Sequence, residues 1–369
     1  MALSRIDTTN MIEDVPQSKL DNNINFRNII INGDMSIAQR ATSTSSITGN
    51  GYHTIDRFQT INTSLGTWTQ SQSTDVPSGQ GFAKSLKMDC TTADASPASS
   101  DLLQLRTAFE GQNLQYLNFG TSSAKSLTLS FWVKSNKTGT YTMVFFHRDA
   151  TKQFSKSYTI SSANTWEKKT ITVVGNTANG IDNDNAKSFD IWFNLGAGSN
   201  FTSGSLSSSW EAETEANYAV GQVNLADSTS NEWYITGVQL EAGQTASEFE
   251  FLPHDVNKTR CFRYFQDLAP KKNDCRIAIG ENVNGTRCDP VFQYVEKRAN
   301  PSVTFTAANT FSLYNAGTSR DCTSMSSDNF SEICGNLNAN VSSGLTPTGG
   351  ASQFITNGTG SQIFVDAEL

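Results

Sequence analysis

The sequence predicts an all-β protein: a jelly-roll-like β-sandwich of many short strands followed by a smaller C-terminal β-domain, the two joined by a short helix. Three observations predict it. Only 17% of the 369 residues are charged and 37% are hydrophobic, while Ser, Thr, Asn and Gly abound, so small neutral polar groups must cover the surface. That balance suits sheets joined by turns. From about Ser126 onward, short runs rich in Val, Ile, Thr, Phe and Trp stand between clusters of Ser, Asn and Gly, the punctuation of successive strands. Amphipathic helical spacing is scarce, and strands without interleaved helices stack as sandwiches rather than as parallel α/β sheets.

The length allows two or three domains at roughly 150 residues each. Residues 1–26 are polar and without a sustained period, which predicts an arm ordered only by docking onto a partner. Phe26–Met35 is a short apolar run ending in Asn-Gly-Asp, read as a strand and a turn. Strand-like pieces follow at Asp56–Thr60 and Thr67–Gln70, then a Ser/Ala/Pro-rich linker at Thr91–Ser100 and a helical or extended segment at Leu102–Phe109. In Ser126–Lys134, Leu127, Leu129, Phe131 and Val133 fall on one face, and Gly139–Phe146 follows a Ser-Asn-Lys-Thr-Gly turn, which predicts a hairpin with one buried face. Ser157–Ile160, Lys168–Val174, Ser188–Leu195 and Glu232–Leu240 complete a sandwich assigned to residues 27–252. Cys261, Tyr264, Phe265 and Leu268 then recur at helical spacing, with Asp255 placed to cap the start, so residues 253–270 are read as a linker helix. Residues 271–369 hold five further strand-like runs, at Arg276–Ile279, Phe292–Val295, Ser302–Thr306, Thr310–Tyr314 and Ser361–Asp366, and form the C-terminal β-domain.

Composition also excludes. A net charge of −8 with no cluster of Lys and Arg argues against binding nucleic acid, whose affinity is built from such clusters. Residues 1–15 lack the apolar centre of a signal peptide, and no run approaches the ~18 apolar residues of a membrane span, so the chain is expected to stay soluble without membrane insertion. The six cysteines are widely spaced with no CxxC pair, which fits small buried thiols; Cys322 and Cys334 are the one pair to test for a bridge.

No catalytic motif stands out. His53, His147 and His254 are scattered, and there is no nucleophile elbow, phosphate loop or dinucleotide fingerprint. Glu211-Ala-Glu-Thr-Glu215 gathers carboxylates, but that spacing on an extended segment suits a solvated loop or an edge guard. Asp182-Asn-Asp-Asn185 reads as an Asx turn, lacking the Gly and distal Glu of a Ca²⁺ loop. The expectation is no enzyme, no metal and no cofactor. Among the tryptophans, Trp132, Trp192 and Trp233 lie in apolar strands and read as core, and Trp166 at a strand entrance suits either role. Trp68, Trp210 and Tyr218 lie in polar, loop-like surroundings; they are the candidate glycan-binding residues, although the same surroundings suit rings tucked against their own domain.

Two ordered sets of segments carry a resemblance. Asn32–Met35, Leu129–Lys134, Thr165–Lys168, Ile191–Gly196 and Trp233–Glu241 resemble, in that order, the jelly-roll fold of carbohydrate-binding modules. Ile31–Ala41, Asp56-Arg-Phe58, Gly237–Gly243 and Cys261–Phe265 resemble tail-fibre-like structural proteins of bacteriophages, notably marine ones, and Val303–Phe305 through Phe364–Leu369 resembles their C-terminal tip domains. The resemblance implies a homotrimeric appendage on the virion, made in the host cytoplasm, docked to other virion proteins through the N-terminal arm and binding a host-surface glycan. Alternatives carried with it are a head or neck decoration protein and a capsule-degrading tailspike; the lack of a long β-helix repeat counts against the last.

Overall fold

Residues 26–269, 271–347 and 349–369 are described by the computed structural model; all of the expected N-terminal arm except Phe26 lies outside them. Among the described residues twelve strands build the first unit: β1 (Ser43–Ile47), β2 (Gln59–Thr63), β3 (Thr67–Ser73), β4 (Ser85–Thr92), β5 (Leu102–Glu110), β6 (Leu127–Ser135), β7 (Gly139–His147), β8 (Lys152–Ile160), β9 (Glu167–Val173), β10 (Lys187–Ala197), β11 (Glu211–Ala212) and β12 (Glu232–Ala242). They form two six-stranded antiparallel sheets, ordered β1-β3-β4-β12-β6-β9 and β11-β8-β7-β10-β5-β2, packed face to face. The all-β jelly-roll sandwich expected from the sequence is what the chain forms.

β6 and β7 are not a hairpin. β6 pairs with β12 and β9, and β7 pairs with β8 and β10, so the intervening turn carries the chain from one sheet to the other. Leu127, Leu129, Phe131 and Val133 therefore meet Tyr141, Met143 and Phe145 across the core rather than beside them. Burial of these faces, at roughly 1.5–3 kcal/mol per large side chain, holds the sheets together.

The Phe26–Met35 run is not a regular strand. Its backbone is satisfied piecemeal: Ile29 N–H donates to Leu240 O at 2.8 Å and Val238 N–H donates to Gly33 O at 2.9 Å. Asn32 and Met35 adopt left-handed φ of 63° and 59°. The buried Asn32 side chain then does the work of a strand partner, donating to Ile37 O (2.9 Å) and Asp56 O (3.0 Å) and accepting from Ile37 N–H (2.9 Å). Such local side-chain bonds compete with regular ladders.

Helix α1 (His254–Phe262) ends earlier than helical spacing predicts. Asp255 lies inside its first turn, where a carboxylate favours the helix dipole, and Pro253 precedes the helix without a side-chain cap. Phe265–Asp267 leaves the helical period to become β13, the first of ten strands among the described residues of the second unit. The others are β14 (Arg276–Asn282), β15 (Arg287–Gln293), β16 (Ser302–Phe305), β17 (Phe311–Asn315), β18 (Thr318–Asp321), β19 (Ser324–Asp328), β20 (Cys334–Asn340), β21 (Ala351–Thr356) and β22 (Ile363–Asp366). Three of them pair as β13-β22-β16 and seven as β18-β17-β21-β14-β15-β20-β19, around a core that includes Phe292, Phe311, Leu313, Leu337, Phe354 and Ile363. All six cysteines are free, Cys322 and Cys334 included.

The two units meet at a joint built from the sequence motifs singled out above. Asn257 of α1 accepts from Asn32 N–H at 3.1 Å and donates to Asp34 Oδ1 at 3.0 Å. Arg57, fully buried, pairs with Glu368, donates to Ala108 O at 2.7 Å, and has its guanidinium 3.5 Å from the Tyr264 ring centre. Arg40 covers Phe265 at the same distance and pairs with Asp366 at 2.8 Å. Asn185 and Arg298 exchange hydrogen bonds through their backbone carbonyls, so the Asp182–Asn185 loop also joins the two units.

Candidate glycan-binding face

Strand β6 presents two faces of opposite chemistry because its side chains alternate. Phe131 and Val133 point to the core; Ser130, Trp132 and Lys134 point outward. Opposite them on β12 stand Gln239, Thr236 and Tyr234, and opposite Trp132 on β9 stands Lys168.

Over one end of this outer face lies a cleft of about 280 Å³ lined by Gln80, Phe82, Ser130, Trp132, Lys168, Gly237, Glu248, Phe249 and Phe251. Phe82, Phe249 and Phe251 pack as a triangle, with centroids 5.1, 5.1 and 4.8 Å apart. Gly237 makes the triangle possible. Its φ is +61° and any Cβ there would fall 2.5 Å from the Phe82 ring, so only glycine fits both the backbone and the neighbour. Phe251 is 49% exposed and Trp132 is half-buried, leaving aromatic surface open to a ligand.

Toward the other end, Trp166 stands edge-on to Tyr234 at 6.2 Å and donates Nε1–H to Asp75 at 2.9 Å. Lys134 Nζ lies 4.4 Å from the Tyr234 ring centre and pairs with Asp75, while Lys87 pairs with Glu232 at 2.8 Å. Partial burial works against the Asp75 charge, yet the hydrogen bonds from Lys134 and Trp166 hold its carboxyl below the usual range. Lys134 and Lys87 are thus largely neutralised in place.

Aromatic rings flanked by amide, hydroxyl and ammonium groups are what a pyranose needs, since its C–H face packs on a ring while its hydroxyls exchange hydrogen bonds at the rim. Glycosidic cleavage asks for two carboxyl groups flanking the bond, and among the described residues the cleft lining holds one, Glu248. Among the described residues no group of three or more His, Cys, Asp or Glu is placed to hold a metal ion. Nor is any helix among them long and apolar enough to cross a membrane.

The residues singled out from sequence sit elsewhere. Trp68 lies in β3, not a loop, is 0% exposed and donates Nε1–H to Leu65 O at 2.7 Å; it has no face to offer a sugar. Tyr218 is buried as well, stacked on Phe201 at 6.1 Å and edge-on to Trp192 at 5.1 Å, with its hydroxyl donating to Glu213. Trp210 is half-buried in a cage of Phe119, His147, Phe154 and Phe189 and donates to Val174 O at 2.7 Å. The three do not form an exposed platform. Glu211 is engaged by Gln153, Ser207 and Asn217, so it ties a loop down. Trp192 and Trp233 are core, but Trp132 is not. The signal for Trp132 was the alternation itself: if Phe131 and Val133 face inward, Trp132 faces out.

No family model matches the chain, and no curated protein matches it. Among solved structures it is similar to the enzymatically active domain of tailspike protein 4 of bacteriophage CBA120, at 14% identity and a TM-score of 0.31, over 58% of this chain but 21% of that one. It is also similar to a family 11 carbohydrate-binding module of a Clostridium thermocellum cellulase, at 11% identity, a TM-score of 0.27 and coverage of 55% and 99%. An N-terminal cellulose-binding domain of a Cellulomonas fimi β-1,4-glucanase matches at 10% identity and a TM-score of 0.28, over 57% of this chain and 100% of that one. Likeness at this level assigns no role to any residue.

Proposed function

We propose that this chain is a non-catalytic glycan-binding protein of a bacteriophage appendage, a tail fibre or a similar structure, that attaches the particle to host-surface sugars. The observation that carries the binding reading is the outward aromatic cleft at Trp132, Phe82, Phe249 and Phe251, continuous along β6 with Trp166 and Tyr234. The virion reading is supported by the ordered resemblance of Ile31–Ala41, Asp56–Phe58, Gly237–Gly243 and Cys261–Phe265 to tail-fibre-like proteins. In this reading the chain assembles as a homotrimer, docks to other virion proteins through residues 1–26, and gains avidity because several weak sites act at high effective concentration.

The test is titration of host-surface polysaccharide into the purified chain and its Trp132→Ala variant. Loss of a buried contact ring of this size corresponds to about tenfold or more in affinity. Equal binding by both proteins of a polysaccharide free of uronic acid, or binding of it by neither, ends the glycan reading of this face. A monomer in solution, or failure to label host cells, ends the appendage reading.

A further inference from the structure

A second cavity, of about 380 Å³, opens where α1 meets the end of β5, and it shares no residue with the aromatic cleft. Its walls include Phe26, Phe109, Glu110, Tyr116, Arg260 and Arg263. The charges in it are unequal. Glu110 is taken up by a two-pronged pair with Arg263, at 2.8 and 2.7 Å, and by Gln112 at 2.7 Å. Arg260 makes no ion pair among the described residues, and its Nη1 is shielded from solvent without a hydrogen-bond partner. The carboxylate of Glu250 acts on it through space but is already bonded to the Phe26 and Asn28 N–H groups, at 2.7 and 2.9 Å. Burial lowers the pKa of Arg260, a sign that its charge is poorly solvated. A partly buried guanidinium without a direct ion pair among the described residues is unusual, because arginine is favoured where its planar fork meets a carboxylate.

The apolar walls narrow the class of ligand. Phe26 is 58% and Tyr116 44% exposed, two rings turned to solvent beside the guanidinium, with Phe26 centred 5.9 Å from it. Exposed rings beside the Arg260 guanidinium, with the Lys125 ammonium 5.6 Å from the Tyr116 ring centre, suit a negative charge carried on a ring with an apolar face. We propose that this cavity binds a carboxylated sugar ring, of the class of a uronic acid, with the carboxylate on Arg260 and the ring against Phe26 and Tyr116. A phosphate would offer the two rings no apolar face, and a neutral sugar would leave Arg260 unanswered. This site stands independently of the aromatic cleft.

The experiment titrates the full chain with glucuronic acid, glucose, acetate, inorganic sulfate and an oligosaccharide of glucuronic acid, followed by NMR or calorimetry. Expected are saturable binding of glucuronic acid and of its oligosaccharide, binding of glucose at least ~10-fold weaker, and a loss of at least ~10-fold in Arg260→Met, the scale of one charge-assisted contact. Tyr116→Ser, at an exposed position, weakens the same binding and decides the matter should Arg260→Met fold poorly. Trp132→Ala leaves glucuronic acid binding unchanged, so this site and the aromatic cleft can fail separately. Glucose binding as tightly as glucuronic acid overturns the proposal, as does acetate or sulfate matching it, or indifference to both cavity substitutions.

Discussion

At Gly33 an added Cβ would lie 2.0 Å from the Val238 carbonyl oxygen, closer than real side chains come, because Gly33 and Val238 are held together by a backbone hydrogen bond. Gly33→Ala must therefore push β12 away or break that bond, and we expect a loss of about 3 kcal/mol or more. Gly49 has nothing within 4 Å of its missing Cβ, so Gly49→Ala should stay within about 0.5 kcal/mol. Chemical denaturation of both variants checks the pair; equal costs would mean the close approach is not what fixes glycine at 33. Residue identity was also where sequence reading reached least. Asn32-Gly33-Asp34 reads as a turn, and it does bend the chain, but its bonds run to Val238 and to Asn257 of α1, over two hundred residues on, and no local pattern announces them.

Among elements, β6 makes the sharpest test, since neighbouring residues on it do opposite jobs. Phe131, fully buried against Tyr158 and Phe193, should cost about 3–5 kcal/mol as Phe131→Ala through lost burial and a cavity. Trp132→Ala, on the outer face, should cost much less stability while impairing sugar binding. Thermal melts beside binding titrations read both, and similar melting losses from the two would deny Trp132 its outward role. Strands with apolar and polar residues in alternation, such as β6, β7, β10 and β12, were legible for that reason. β18 and β19, with sequences TSRD and SMSSD, offer almost no contrast between faces and were not. The hairpin reading of β6 and β7 failed because a Ser-Asn-Lys-Thr-Gly turn looks the same whether it returns a strand to its own sheet or sends it across the core. The end of α1 was misplaced because Phe265 and Leu268 keep helical spacing while Phe265–Asp267 is claimed by pairing with β22, almost a hundred residues later.

At the scale of the whole molecule, the joint between the two units contains ionisable groups held far from their usual ranges. Burial raises the Asp56 carboxyl to about 7, against the hydrogen bonds from Gln39 that favour its charge. Burial lowers Lys297 to about 7, partly offset by Asp366, while its ammonium donates to Phe262 O and, at 3.2 Å, to Gln266 Oε1. The two act in opposite windows. The folded chain keeps a proton on Asp56 that the unfolded chain loses above 3.8, so this contribution to stability falls as pH rises from about 4 to 7. For Lys297 the folded chain sheds a proton that the unfolded chain holds up to 10.5, so its contribution falls as pH drops from 10.5 to about 7. The expected outcome is a trough in stability near neutrality, with slopes of at most about 1.4 kcal/mol per pH unit on each side. Asp56→Asn should flatten the acid limb and Lys297→Met the alkaline limb, measured by denaturant unfolding at pH 5, 7 and 9. Unchanged limbs in these variants would place the titration elsewhere.

The pairing of Arg57 with Glu368 joins positions 311 residues apart. At ribosomal speeds of roughly 5–20 residues per second, the interval between the appearance of one partner and the other is about a quarter of a minute to a minute. Once β12 has been made the sandwich can close, but it carries an arginine whose counterion is still to come, and the surface destined for Tyr264 and Phe265 is bare until translation reaches them.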